Sequence, residues 1–151
     1  MLQTSILVPL NDSVSSKGIL EFLLNRCPFC SESCHLTFLH VFRKPTSGEE
    51  LMGKKFMAEQ PDRFRMLLEN ASRRMIDERG ISPDNIEIKL LTDPYPSVTE
   101  GIIDFCRQGQ FDMVIIGRKQ MTKSEEFVRG DISIKLIRAL DKTSVLVVKS
   151  G

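Results

Sequence analysis

Apolar positions in this chain fall into five short blocks, separated by stretches in which they recur every three or four residues. The blocks are SILVPL (5–10), HLTFLHVF (35–42), IEIKLL (86–91), DMVIIG (112–117) and SVLVVK (144–149). They are rich in Val, Ile, Leu and Phe, and their length predicts strands. The first, fourth and fifth are apolar at nearly every position, the pattern of a strand covered on both faces. The intervening stretches predict helices over 15–27, 61–80, 96–109 and 131–140. Their apolar stripes are Ile19, Phe22, Leu23 and Cys27; then Phe64, Leu67, Leu68, Ala71 and Met75; then Val98, Ile102 and Phe105 or Cys106; then Ile132, Leu136, Ile137 and Leu140. Pro61 and Pro96 suit first helical turns, and Gly80 and Gly109 suit helix ends. Segment 43–60, with Pro45, two glycines and scattered charges, reads as a loop or a mobile helical lid.

Strand and helix alternate from end to end. This predicts an α/β fold, a mostly parallel open sheet with helices on both faces. Ligands of such sheets bind outside the carboxyl ends of the strands, where the strand order reverses. The first block runs out into PLNDS and the fourth into IIGRKQ, so these two ends are where a site is expected.

Composition narrows the class. A length of 151 residues fits one domain, spanning 1–151, and no internal repeat is visible. A chain of that size buries roughly 68–70% of its unfolded surface. Apolar content of 41%, charged content of 27% and a net charge of +1 give no reason to expect nucleic acid or an anionic membrane as partner. The start, MLQTSILVPLNDS, lacks the basic lead of a targeting segment, and no apolar run reaches the ~18 residues of a membrane span. A cytoplasmic location is expected, with the four cysteines reduced.

Candidate chemistry sits in two places. In CPFCSESCH (27–35), Cys27 and Cys30 form a C-x-x-C pair followed by Cys34 and His35. Such a pair suits a zinc knuckle or a dithiol redox couple. All four ligands crowd into nine residues, and the pair lies at a helix C-terminus, where the dipole should raise a thiol pKa. The favoured interpretation is a helix-to-strand turn of small residues, with the redox couple and the metal site as alternatives. Cys106 is expected near the core, and His35 and His40 are expected to be structural. Asp12, Asp93 and Asp112 fall at strand ends, where turn residues are also common. No Ser-His-Asp set, Glu-x-x-His motif or carboxylate pair on one face is present, so no enzyme is predicted.

The second place is GRKQMTKSEEFVRGD (117–131). Together with ILVPLNDS, LTFLHVF, DMVIIGR, a glycine-led helix and a final SVLVVKS, it makes the whole chain resemble the universal stress protein family. The resemblance implies a Rossmann-like, adenine nucleotide alpha hydrolase-like sheet of five parallel strands in the order 3-2-1-4-5. It also implies a homodimer built through the final strand, 144–149, whose open edge needs covering. Nucleotide-binding members are similar to one another in Gly-x2-Gly-x9-Gly-(Ser or Thr) and in an aspartate ending strand one. Here Gly117 and Gly130 match, Gln120 and Asp131 replace the second glycine and the hydroxyl residue, and Asn11 replaces the aspartate, with Asp12 one residue late.

The departures weigh against ATP. Gln120 adds bulk where backbone N–H groups would approach phosphate. Asp131 is a good N-cap that would take the helix's free N–H groups and set its charge against the phosphates. Two like charges ~4 Å apart at an effective dielectric of ~20 repel by about 4 kcal/mol, roughly a thousandfold in affinity. Asn11 retains a carbonyl for a ribose or adenine contact. Arg118, Lys119, Lys123 and Arg129 add cations, offset by Glu125 and Glu126. The resemblance therefore implies a non-enzymatic stress-response or regulatory protein that binds a partner or small ligand, with ATP binding impaired and no cofactor required. The alternative is a regulator that still binds ATP or AMP with Mg²⁺ through Asn11, Gly117, Arg118, Gln120, Gly130 and Asp131.

Overall fold

A computed structural model of the chain describes residues 3–31, 33–119 and 132–150. In chain order it contains β1 (Thr4–Pro9), α1 (Val14–Asn25), β2 (Cys34–Arg43), α2 (Ser47–Leu51) and α3 (Lys54–Arg79). A 3-10 turn (Pro83–Asn85) leads into β3 (Ile86–Tyr95), α4 (Val98–Gln108), β4 (Met113–Lys119), α5 (Ile132–Ala139) and β5 (Ser144–Ser150). The strands form one parallel sheet in the order β3-β2-β1-β4-β5, as the resemblance implied.

Strand alternation divides the core into two apolar layers. Ile6 and Val8 of β1 join Leu23, Phe38, Leu68 and Met75 on the face covered by α1 and α3. Leu7 joins Leu39, Ile102, Val114 and Leu136 on the face covered by α4 and α5. β1, flanked by β2 and β4, is buried at Ile6, Leu7 and Val8. β2 is buried without a break from Leu36 to Val41, because helices lie over both of its faces.

Four expectations change. The helix placed over 61–80 begins at Lys54, so Pro61 lies inside it instead of opening it, and segment 43–60 takes the helical of its two readings, with α2 in part of it. The proline removes the N–H that the Met57 carbonyl would accept. Nearby, Gln60 Nε2 donates to the Phe56 carbonyl at 3.3 Å. β3 runs on through Pro94 to Tyr95, with a register shift between Val41 and Arg43 on its partner; an edge strand tolerates both. β5 is only half-buried at Val145, Leu146 and Val147 and buried at Val148, because it lies at the other edge of the sheet. Ile137, assigned above to a core stripe, is 60% exposed, and Ser133 takes the inward position beside Leu136. No helix among the described residues is long and apolar enough to cross a membrane.

Leu68 is 0% exposed and Leu51 is 87% exposed. Leu68→Ala is expected to lower unfolding stability by about 2–5 kcal/mol. Leu51→Ala is expected to change it by less than about 0.5 kcal/mol. Urea unfolding of the two variants against the parent chain measures the difference.

Candidate functional site

The strand order reverses between β1 and β4. Beyond their carboxyl ends lies a cleft of about 110 Å³, lined by Asn11, Ser13, Ser15, Val41, Gly117 and Ile132 among others. An outer pocket of about 430 Å³ adjoins it, walled by Phe42, Arg43, Phe56, Arg63 and Phe64. Asn11, His40, Val41 and Val98 border both spaces. The outer pocket falls within the size range of small-molecule sites and the inner cleft falls below it.

The loop from β1 to α1 is closed by its own hydrogen bonds. Asn11 Oδ1 accepts from the Ser13 N–H at 2.8 Å and from the Ser16 hydroxyl at 2.9 Å. Ser16 Oγ in turn accepts from the Asn11 N–H at 2.9 Å. Ser13 caps α1 by accepting from the Ser16 N–H at 3.2 Å. Two donors occupy both lone pairs of the Asn11 carbonyl, which leaves Nδ2 as the polar group it can offer a ligand. Asp12 is turned toward α3 and forms an ion pair with Arg63. The two oxygen-bearing side chains at the end of β1 are thus already engaged within the protein.

Gly117 is a glycine for a reason the motif does not express. A Cβ built there would lie 2.5 Å from the Ser15 carbonyl oxygen and 2.9 Å from its carbon. Backbone cannot yield as a flexible side chain would, so β4 and the first turn of α1 meet at this distance only without a side chain. Arg118 follows half-buried and Lys119 exposed. Gln120, Gly130 and Asp131, together with Lys123, Glu125, Glu126 and Arg129, lie outside the described residues.

His40 projects from β2 between the two spaces. Its Nδ1 lies 2.8 Å from the Leu10 carbonyl oxygen, so that nitrogen carries the proton and donates. The ring stacks on Phe64 at 3.8 Å and meets Phe42 edge-on at 4.6 Å. Burial disfavours the imidazolium and lowers its pKa from 6.5, against the opposing pull of the Leu10 carbonyl and the Asp12 charge. The ring is thus packed within the protein and also walls the site. Periodicity gave no notice of Arg63, Phe42 or Phe56 as site residues, because their places depend on contacts between distant segments. The Ser13-x-x-Ser16 spacing at a helix start was the one local signal.

The remaining candidates lie elsewhere. Asp112 sits at the amino end of the sheet, where it accepts from the Ser5 N–H at 2.8 Å. Cys27, Cys30 and Cys34 gather in the apolar layer under α1. His35 follows Cys34 on the same strand, so its side chain leaves by the opposite face. Among the described residues, no three His, Cys, Asp or Glu side chains converge to hold a metal ion. The end of α1 is expected to raise the pKa of its first cysteine, but the groups around Cys27 act in the other direction. A hydrogen bond from the Cys30 thiol lowers Cys27 to about 7, helped by backbone donors and by Arg79. The Cys30 thiol is raised, by Cys27 beside it first and then by burial.

Two outcomes follow from this geometry. Gly117→Ala is expected to destabilise the protein by about 1–3 kcal/mol with no ligand added, since α1 must move to admit the methyl group; chemical denaturation measures it. His40 has a folded pKa below its unfolded value, so the unfolded state takes up the proton first as pH falls below 6.5. Stability should therefore drop as pH falls from 6.5 toward the folded pKa, by at most ~1.4 kcal/mol per pH unit for one group. His40→Gln is expected to flatten that dependence in urea titrations above and below this pH.

The comparisons with known proteins agree with the fold. Three solved structures align over nearly the whole chain. One is a universal stress protein family member from Burkholderia pseudomallei, 20% identical, with a TM-score of 0.62 and coverage of 97% of this chain and 96% of that one. One is a family member from Arabidopsis thaliana with AMP bound, 15% identical, with a TM-score of 0.65 and coverage of 98% and 92%. One is a universal stress protein in complex with cAMP, 13% identical, with a TM-score of 0.65 and coverage of 100% of both chains. No significant match was found among curated protein sequences. The sequence profile of the Universal stress protein family matches residues 4–149, and the chain belongs to that family.

Proposed function

We propose that this chain is a non-enzymatic, cytoplasmic regulator of the stress response. It acts as a homodimer and takes a small ligand or a protein partner at the strand-end cleft, with tight ATP binding impaired. The observation that carries this proposal is the state of the β1 end. Asn11 Oδ1 already holds two donors and Asp12 is already paired with Arg63. A nucleotide held there must draw on Asn11 Nδ2 or displace bonds that close the loop, each worth about 0.5–1.5 kcal/mol. Asp131, in the hydroxyl position of the binding motif, adds a negative charge.

The dimer is supported by β5, which pairs with β4 on one side only and leaves Val145, Leu146 and Val147 half-buried. A second copy laid along that edge would satisfy its free backbone groups. The partner protein is one that this surface, or the cleft, would recognise.

A second proposal has its own support. The cleft beside Gly117 is open, and two structures of similar fold hold AMP and cAMP. A mononucleotide carries one phosphate and so demands less of the loop than ATP.

Native mass spectrometry of freshly purified protein tests both proposals. The expected result is a dimer without nucleotide that gains none on adding ATP and Mg²⁺. Adenine nucleotide retained at one per chain would replace the first proposal by the second. A monomer would remove the dimer.

A further inference from the structure

Outside the cleft, the chemistry-bearing cluster that the proposed function does not use lies at the opposite end of the sheet. There the turn after α1 carries Cys27 and Cys30 into β2. Both side chains are buried, at 2% and 6% exposure, in the same apolar layer. Arg79, the last residue of α3, locks the turn. Its guanidinium donates to the carbonyls of Leu24 at 3.3 Å, Cys27 at 2.9 Å and Cys30 at 3.0 Å. One fixed positive charge thus lies beside both cysteines and covers the carbonyl end of α1.

The other two cysteines are placed differently. Cys34 donates its S–H to the Phe29 carbonyl, with sulfur and oxygen 2.6 Å apart. Cys106 lies in the layer on the other face of the sheet. There, burial without a charged partner pushes its thiol up to about 11. Burial alone makes a thiol inert, whereas a neighbouring donor and cation favour the thiolate. Residues Arg26, Pro28 and Ser31 around the turn are exposed, so the path to the pair from solvent is short for a molecule little larger than water.

We propose that Cys27 and Cys30 form a redox site: a dithiol that hydrogen peroxide converts into an intramolecular disulfide. The Cys27 thiolate attacks one peroxide oxygen and the O–O bond breaks. The departing oxygen leaves as water with the proton that the thiol gave up, and Cys27 becomes a sulfenic acid. The Cys30 sulfur then attacks the Cys27 sulfur, the S–O bond breaks, and a second water carries off the Cys30 proton. Two thiols lose two electrons in all, and hydrogen peroxide is reduced to two waters. A cellular dithiol reverses the change by exchange.

Differential alkylation after hydrogen peroxide treatment of the folded full chain tests this, with peptides read by mass spectrometry. The expected result is a Cys27–Cys30 disulfide formed about tenfold or more faster than Cys106 is lost. Cys34 and Cys106 stay alkylatable, and dithiothreitol restores both thiols. Cys30→Ser is expected to stop at a Cys27 sulfenic acid that dimedone captures, and Cys27→Ser to abolish the selective reaction. Two results would overturn the proposal: a disulfide through Cys34, or both thiols still free at peroxide levels that oxidise the urea-unfolded chain. The experiment on the unaltered chain decides the matter even if a variant folds poorly.

Discussion

Backbone lies against backbone where the end of β4 meets the start of α1, and the architecture of the cleft depends on that contact. With a hydrogen atom in place of a side chain at Gly117, the Ser15 carbonyl approaches a neighbouring strand more closely than any other residue type permits. This sets where α1 begins, and the Ser13 cap and the Asn11–Ser16 bonds follow from that position. The glycine that the family pattern assigns to phosphate binding is therefore required by packing as well. Its retention in a chain that departs from the pattern at three other positions needs no ligand to explain it.

The parts of the fold that were legible in the sequence were those whose burial is uniform. SILVPL and DMVIIG announce β1 and β4 because side chains on both strand faces must be apolar. The edges were harder. β3 runs past Leu91, where its apolar block ends, through Thr92, Asp93 and Pro94 to Tyr95, and these residues carry no strand-like pattern. The early start of α3 was obscured by Pro61, although KKFMAEQ before it consists largely of good helix formers. No residue in that stretch is buried, so the apolar stripe that announces most helices is missing there.

Of the candidate site, the sequence located the two strand ends but not the partners that decide their chemistry. Asp12 meets Arg63 and Cys27 meets Arg79 across 51 and 52 positions of chain. Each arginine reaches back from α3 to the segment around α1. These two contacts act oppositely on their sites: the first occupies a carboxylate that would otherwise face a ligand, and the second places a cation beside a thiol that a helix dipole would otherwise quiet. Local periodicity carries no trace of either, since both arginines read from sequence as ordinary solvated charges.

The proline within α3 has a consequence for the cleft. The turns before Pro61 have an interrupted ladder and no buried anchor, while the turns after it are fastened by Leu68, Ala71 and Met75. The free energy needed to unravel the helix therefore falls steeply on crossing the proline. Phe56 and Met57, which wall the outer pocket, stand on the weak side. The outer pocket is thus bounded on that side by the least firmly anchored turns of α3.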